Sequence, residues 1–328
     1  MARKMYTFDE LYTIFSEELQ KQNFSKSPKE LYEPIIYTIS QSGKRLRPIF
    51  TLMSCDLFDC DIRKALSQAI AIELLHNFTL VHDDIMDEAP MRHGKQTVHV
   101  KWNQNLAILA GDTMYALAYR YALNAELDIL PVLLQTFNNT ALEACEGQQM
   151  DINFENKTGV SIDDYLLMIK YKTAVLFGAS MRIGALIARA PEKDVHHLYQ
   201  YGLNIGMAFQ LKDDLLDLYG QTSSFGKRKG IDIIEGKRTY LYIMALEKAD
   251  PETRSKLIDA YRKDHPNPEQ KIAEVKRIFD QLNIEEITQQ VIEEYLNKSL
   301  EHLDQVDRPV ENKRVLEQLA KRLMFREK

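Results

Sequence analysis

The chain is short of the residues that break regular structure. It has thirteen glycines and ten prolines in 328 residues. These shares, about 4% and 3%, lie below the usual roughly 7% and 5%. Few turn-makers allow few turns, which argues against many short strands and for long helices. Cysteine is scarce too, with only Cys55, Cys60 and Cys145. Three thiols exclude a disulfide framework and a four-thiolate zinc site, and they suit a reducing cytoplasm. No apolar run approaches the roughly 18 residues of a membrane span. Phe8-Asp9-Glu10 interrupts any apolar stretch after the basic first residues, so a secretory signal is not expected. Excess positive charge is also missing: 42 Lys and Arg against 48 Asp and Glu leave a net charge of −6. A nucleic-acid binder relying on overall charge is therefore not expected. What is present is 45% hydrophobic residues, far too many for a disordered chain. The expectation is a cytoplasmic, all-α protein, and the length fits two domains or one large helical domain over residues 1–328 equally well.

Apolar residues recur at helical period along most of the chain. Helices are predicted over 32–42, with Pro34 in the first turn, and over 48–58, with Pro48 at the first position. One long helix is predicted over 61–87, capped by Asp61. Residues 88–95 contain Pro90 and Gly94 and read as a loop. Further helices are predicted over 105–125, 130–150, 161–188 and 192–218. Residues 225–237 read as a Gly- and Lys-rich loop. Shorter charged helices are predicted from 239 onward, broken near Pro251, Pro266 and Pro309.

One cluster recurs in type. Asp83-Asp84-Ile85-Met86-Asp87 and Asp213-Asp214-Leu215-Leu216-Asp217 share the pattern D-D-x-x-D, 130 residues apart. At about 100° per residue, first and fifth positions lie about 40° apart. Asp83 therefore converges with Asp87, and Asp213 with Asp217. Asp84 and Asp214 point about 100° away and suit a supporting role behind the metal ligands. Apolar segments precede both clusters, where repelling carboxylates are costly unless a cation compensates them. Carboxylate oxygens without paired His or Cys select Mg²⁺ over zinc.

Basic residues accompany both clusters. They are Gly43-Lys44-Arg45-Leu46-Arg47-Pro48, Arg92-His93-Gly94-Lys95, Lys172-Thr173, Phe225-Gly226-Lys227 and Glu235-Gly236-Lys237. Cations beside metal-binding acids point to a polyanion such as a diphosphate, bridged to the acids by Mg²⁺. His76 lies seven residues before Asp83, about 20° away on the helix, so it faces the same side. On spacing alone, packing and function are equally good accounts of it.

Taken together and in order, these motifs resemble the trans-isoprenyl diphosphate synthases, also called polyprenyl synthetases, of short-chain type. Gly43-Lys44-x-x-Arg47-Pro48 resembles the family's isopentenyl diphosphate motif, and the acid clusters resemble its two aspartate-rich motifs. Gly147-Gln148-x-x-Asp151, Lys172-Thr173, Phe209-Gln210 and Gly226-Lys227-x-x-Gly230-x-Asp232 with Gly236-Lys237 complete the set. Two positions depart from the pattern: His93 replaces a usual arginine, and Gln96 a frequent proline. The first makes that diphosphate contact weaker and pH-dependent.

The resemblance implies a single large helical bundle around a deep central cavity, a homodimer, and head-to-tail prenyl transfer. An allylic diphosphate ionises, isopentenyl diphosphate attacks the cation, and a proton leaves. It implies Mg²⁺, three ions with the diphosphate, on Asp83, Asp87 and Asp213, supported by Asp84, Asp214 and Asp217. It implies catalytic roles for Asp83, Asp87, Asp213, Lys172 and Gln210. Substrate contacts are implied for Lys44, Arg47, His76, Arg92, His93, Lys172, Thr173, Gln210, Lys227 and Lys237. The physical logic is consistent. Negative charge builds on the leaving pyrophosphate, and cations placed there lower the barrier. An apolar cavity shields the carbocation from water, and Phe78, Leu80, Phe177, Met207 and Phe209 are candidates to line it.

Chain length is referred to Phe78 and Thr79. Phe78 lies about 140° from Asp83 on the helix and Thr79 about 40°, so periodicity leaves open whether Phe78 lies under the growing tail. In the family an aromatic residue there, with no insertion in the acid motif, goes with short products. The expected product is C15 to C20, with C20 favoured. A terpene cyclase would share the first cluster but has no use for Gly43-Lys44-x-x-Arg47-Pro48. A helical phosphohydrolase (from His82-Asp83) would want further histidines before that pair and leaves the second cluster unexplained, and a di-iron bundle (from Glu73-x-x-His76) lacks a second Glu-x-x-His. A dead partner subunit is expected to have lost acids from one cluster, and all six are present.

Overall fold

The computed structural model describes residues 5–157, 159–220, 229–262 and 267–324. Lys227 lies outside the described residues. In chain order the helices are α1 (Phe8–Lys21), α2 (Lys29–Ile39), α3 (Leu46–Leu57) and α4 (Leu66–Met86). A two-stranded hairpin follows, β1 (Met91–Arg92) with β2 (Lys95–Gln96), then α5 (Val98–Lys101), α6 (Gln104–Ala122) and α7 (Leu130–Asn156). Next come α8 (Ile162–Ile169), a π-helical turn at Lys170–Ala174, α9 (Val175–Ile187) and α10 (Glu192–Tyr219). The last are α11 (Ile231–Glu235), α12 (Tyr240–Lys248), α13 (Pro251–Ala260), α14 (Pro268–Gln281), α15 (Ile284–Asp304) and α16 (Val310–Met324). The fold is all-α, as the composition predicts.

Four helices form the centre: α3, α4, α9 and α10. They pack on one another and are enclosed by α6, α7 and α15. α4 and α9 are apolar on almost every side, as helices buried in a bundle must be. The amphipathic α1, α14 and α16 lie outside, each burying a single stripe. The buried apolar side chains form one continuous cluster from Met5 to Met324.

Several predicted boundaries are corrected. α2 begins at Lys29, so Pro34 sits in the helix interior. The backbone bond it forfeits is to Glu30, whose exposed position lets water take over. α3 begins at Leu46, two residues before Pro48. The stretch 61–87 is two pieces: Asp61 caps a 3₁₀ turn at Ile62–Ala65, and α4 follows. Residues 88–95 carry the hairpin rather than a loop. The supposed loop at 225–237 contains α11. The 161–188 stretch is interrupted by the π turn, and α1 was not predicted at all. Thr7 starts α1 with a reciprocal bond to Glu10, a capping signature readable in the sequence.

Candidate active site

The first acid cluster occupies the carboxyl end of α4. Asp87 is the cap residue, and its N–H still donates to the Asp83 carbonyl at 2.9 Å. The helical turn therefore persists through Asp87, and Asp83 and Asp87 share a face. Basic side chains from two other elements meet Asp83. Lys172 Nζ donates to Asp83 Oδ1 at 2.9 Å and to Asp151 Oδ2 at 2.6 Å. Arg92 donates to Asp83 Oδ2 at 3.2 Å and to Asp84 Oδ1 at 2.6 Å. Burial alone raises the Asp83 carboxyl, but Lys172 and Arg92 bring it below the usual carboxylate range. Burial holds Asp84 and Asp87 above that range.

The π turn explains how Lys172 arrives. Such turns concentrate at functional sites because they re-aim one side chain within a helix. Here the backbone of Lys172 lies directly against α7. A Cβ on Gly147 would fall 2.2 Å from the Lys172 nitrogen, so only glycine permits this approach. α7 in turn presents Asp151, one turn further on, to the Lys172 ammonium. Spacing alone places Asp151 in the Gly147-Gln148-x-x-Asp151 motif and does not mark it as a site residue.

The second cluster, on α10, has different surroundings. Asp214 is buried and accepts from Gln210 Nε2 at 3.0 Å and from the Tyr165 hydroxyl. Gln210 Oε1 accepts from the Thr173 hydroxyl at 3.0 Å, tying α10 to the π turn. Asp217 accepts from the N–H groups of Ile231 and Asp232, both at 3.2 Å, and so caps α11. Burial and the nearby Asp232 push both Asp214 and Asp217 up to about 7. Burial works against charge on Lys237, but Asp151, Asp232, Asp83 and Asp87 hold its ammonium above the usual lysine range. Lys237 thus lies in the field of both clusters.

Tyr165, Asp232 and the buried Lys271 escaped the sequence reading as site residues. Lys271 Nζ donates to the Ile234 carbonyl at 3.1 Å, at the carboxyl end of α11, where a cation is favoured. No spacing in the sequence marks Tyr165 or Lys271.

A basic group from α3 and the turn before it completes the site. Arg47 donates to His76 Nε2 at 3.1 Å and stacks on Phe177, 4.5 Å from the ring centre. Its buried Nε has no partner among the described residues. Burial pulls the Arg47 guanidinium down to about 10, with Glu73 and Asp213 opposing. Burial, then Arg47 and Arg92, hold His76 well below the usual histidine range, so it accepts as a neutral ring. Lys44 lies 5.6 Å from the Phe209 ring centre. Glu73 is taken up by Arg45 and Asn77, which removes it as half of a di-iron site.

Arg92 and His93 ride on the hairpin. Arg92 pairs with Lys95 across a two-residue turn, with φ of 50° at His93 and 76° at Gly94. Positive φ at both central residues defines the hairpin-favoured primed turn. Histidine is among the residues that tolerate this region. The two chain-length candidates differ. The Thr79 hydroxyl is turned back onto the His76 carbonyl at 2.8 Å. Phe78 packs on His82 (4.8 Å) and on Tyr115 of α6 (5.0 Å). Stacking continues through Tyr119 to Phe137 on α7.

Carboxylates, buried cations and an aromatic floor at the ends of long helices define a class: an all-helical enzyme that handles diphosphates. The acid donors are all oxygens, which fits a hard divalent cation. The profile of the polyprenyl synthetase family matches residues 28–282. A geranylgeranyl diphosphate synthase of Methanosarcina mazei is 37% identical over 302 residues, covering 92% of this chain and 91% of its own. Another, from Saccharolobus solfataricus, is 38% identical over 318 residues, covering 93% and 94%. A crystal structure of a geranylgeranyl pyrophosphate synthase superposes with TM-score 0.94 at 42% identity, covering 99% of this chain and all of its own. The chain belongs to the polyprenyl synthetase family. It is a prenyltransferase that condenses isopentenyl diphosphate with an allylic diphosphate, in a family that requires Mg²⁺.

Proposed function

We propose that this enzyme makes a C20 product, geranylgeranyl diphosphate, as a single-domain homodimer of the cytoplasm. The observation that carries the length is Phe78: it sits five residues before Asp83 and is backed by Tyr115, an aromatic barrier on the amino-terminal side of the acid cluster. The geranylgeranyl names of the Methanosarcina mazei and Saccharolobus solfataricus relatives support the same length. Exposed Ile108, Leu109 and Leu142 on α6 and α7, 39%, 52% and 56% accessible, support a second copy covering that face.

In this reading Asp83, Asp87 and Asp213 hold Mg²⁺, three ions with the diphosphate. Bound there, Mg²⁺ neutralises charge on the departing pyrophosphate. Asp84, Asp214 and Asp217 keep the neighbouring groups in place. Lys172, Lys237 and Arg92 face the allylic diphosphate. Lys44, Arg47, His76 and His93 face isopentenyl diphosphate, with Lys227 completing the basic set. Thr173 and Gln210 form a polar bridge beside the reacting carbon, and Phe177 and Phe209 exclude water.

The test is incubation with isopentenyl diphosphate, Mg²⁺ and C5, C10 or C15 allylic diphosphates, measuring product length. C20 from every starter is expected. Products of C25 or longer would refute the barrier. A hydrocarbon formed without isopentenyl diphosphate would refute the transferase reading.

A further inference from the structure

At the other end of α10 from the acid cluster lie three histidines that this function does not use. His197 is on α10 and His302 on α15, and their Nδ1 atoms approach to 3.1 Å. His196 stands beside them, with ring centres 5.6 Å from His197 and 6.5 Å from His302. His197 precedes Asp213 by sixteen residues, about 24 Å along the helix.

We infer that His197 and His302 form a chelating site for a late first-row divalent cation: zinc, nickel or copper(II). Each bond from such a cation to an imidazole nitrogen is about 2.0–2.1 Å, so two nitrogens 3.1 Å apart subtend about 98° at it. That angle lies between square or octahedral and tetrahedral geometry. The nitrogens face each other from two packed helices, so little conformational freedom remains to be lost on binding. Imidazole without carboxylate or thiolate favours these cations over Mg²⁺.

The ligand form is the neutral ring with its proton on Nε2. The surroundings favour neutrality. Burial, His196 and Lys193 lower His197, with Asp194 opposing; burial, His197 and His196 lower His302, with Glu301 opposing. Among the described residues no group of three His, Cys, Asp or Glu is placed to hold a metal, so water fills the other positions and His196 stays outside. Binding clips the start of α10 to the end of α15.

The test titrates the full-length enzyme with Cu²⁺ and with Zn²⁺ in excess Mg²⁺ and counts the ions that the histidine variants lose relative to the wild type, because carboxylate clusters also take these cations. One such ion per chain is expected, with Cu²⁺ resonance showing two equivalent nitrogens and Zn²⁺ raising the thermal midpoint. His197→Ala and His302→Ala should each weaken binding by about tenfold or more and cancel the midpoint rise. His196→Ala should do neither. Prenyl transfer should be unchanged in all three. Absence of binding to the wild type, binding unaffected by the first two variants, or binding lost in His196→Ala would each overturn the assignment.

Discussion

The two acid clusters share a sequence pattern and differ in what surrounds them. Around Asp83 the neighbours are cations: Lys172 from the π turn and Arg92 from the hairpin. Around Asp214 and Asp217 the hydrogen-bond partners are neutral, a phenol, an amide and two backbone N–H groups, and the charges acting on them include those of Asp232 and, for Asp214, Lys237. The first cluster is compensated within the protein. In the second, burial and then the nearby Asp232 raise the proton affinity of Asp214 and Asp217, against the hydrogen bonds that oppose it. Identical motifs therefore do different work. Under the proposed function, the first would meet the diphosphate already charged, while the second would gain most from a divalent cation.

The sharpest way to break this comparison is to remove a charge from each cluster. Asp83→Asn leaves Lys172 and Arg92 facing a neutral amide in place of the carboxylate that the proposed function assigns to Mg²⁺. Turnover at saturating Mg²⁺ should fall by about 10²–10³-fold, and Asp213→Ala should fall comparably. Near-normal steady-state rates in either variant would sink the two-cluster scheme.

Stability against pH separates the clusters next. The folded-state value of Asp214, about 7, lies above its unfolded value of 3.8. Between those values the folded chain holds a proton that the unfolded chain has lost. Stability of the metal-free enzyme should therefore decline as pH rises from about 4 to 7, by at most about 4 kcal/mol for this group. Asp217 acts in the same direction. Asp214→Asn should remove part of the slope, because Asp84, Asp87 and Asp217 contribute in the same direction, while keeping the contacts to Gln210 and Tyr165 sterically possible. Thermal midpoints across that range, compared with wild type, check this; an identical slope would show that folding does not raise the proton affinity of Asp214.

Product length tests the first cluster's helix without touching its charge. Phe78→Ala should lengthen the product by at least one C5 unit at wild-type-like turnover. Because Tyr115 stands directly behind Phe78, Phe78→Ala with Tyr115→Ala should lengthen it further than either alone. Chromatography of the dephosphorylated products decides, and an unchanged distribution places the floor elsewhere.

What the sequence made legible follows from periodicity. Acids spaced by four on apolar helices had to share a face, and low glycine and proline had to mean helices. Environments were not legible, because they come from distant residues. Nothing local links Tyr165 to Asp214, 49 positions away, or Lys271 to Ile234. The π turn hides for a related reason: Lys170–Ala174 reads as ordinary helix, and only the glycine of α7 that it leans on reveals it. The hairpin was missed because two strands of two residues are too short for alternation to register.

The smallest effect concerns His93, where that hairpin meets the chemistry. Its neighbour Arg92 is fixed by two carboxylates of the first cluster, whereas His93 occupies a positive-φ turn position at 50°. Histidine accepts that backbone more readily than most side chains. Arginine there brings a permanent charge that imidazole loses near neutrality, with only a small further conformational cost, since Arg45 and Arg189 occupy the same left-handed region in this chain. The two effects separate by pH. His93→Arg should lower the KM for isopentenyl diphosphate several-fold at pH 8.5, where imidazole is neutral, and little at pH 6. The turn penalty should appear as a slightly lower thermal midpoint at both. His93→Asn keeps the turn without the charge, so it should retain the midpoint and lose the pH dependence of KM. A KM that ignores pH in all three proteins would assign His93 to the turn alone.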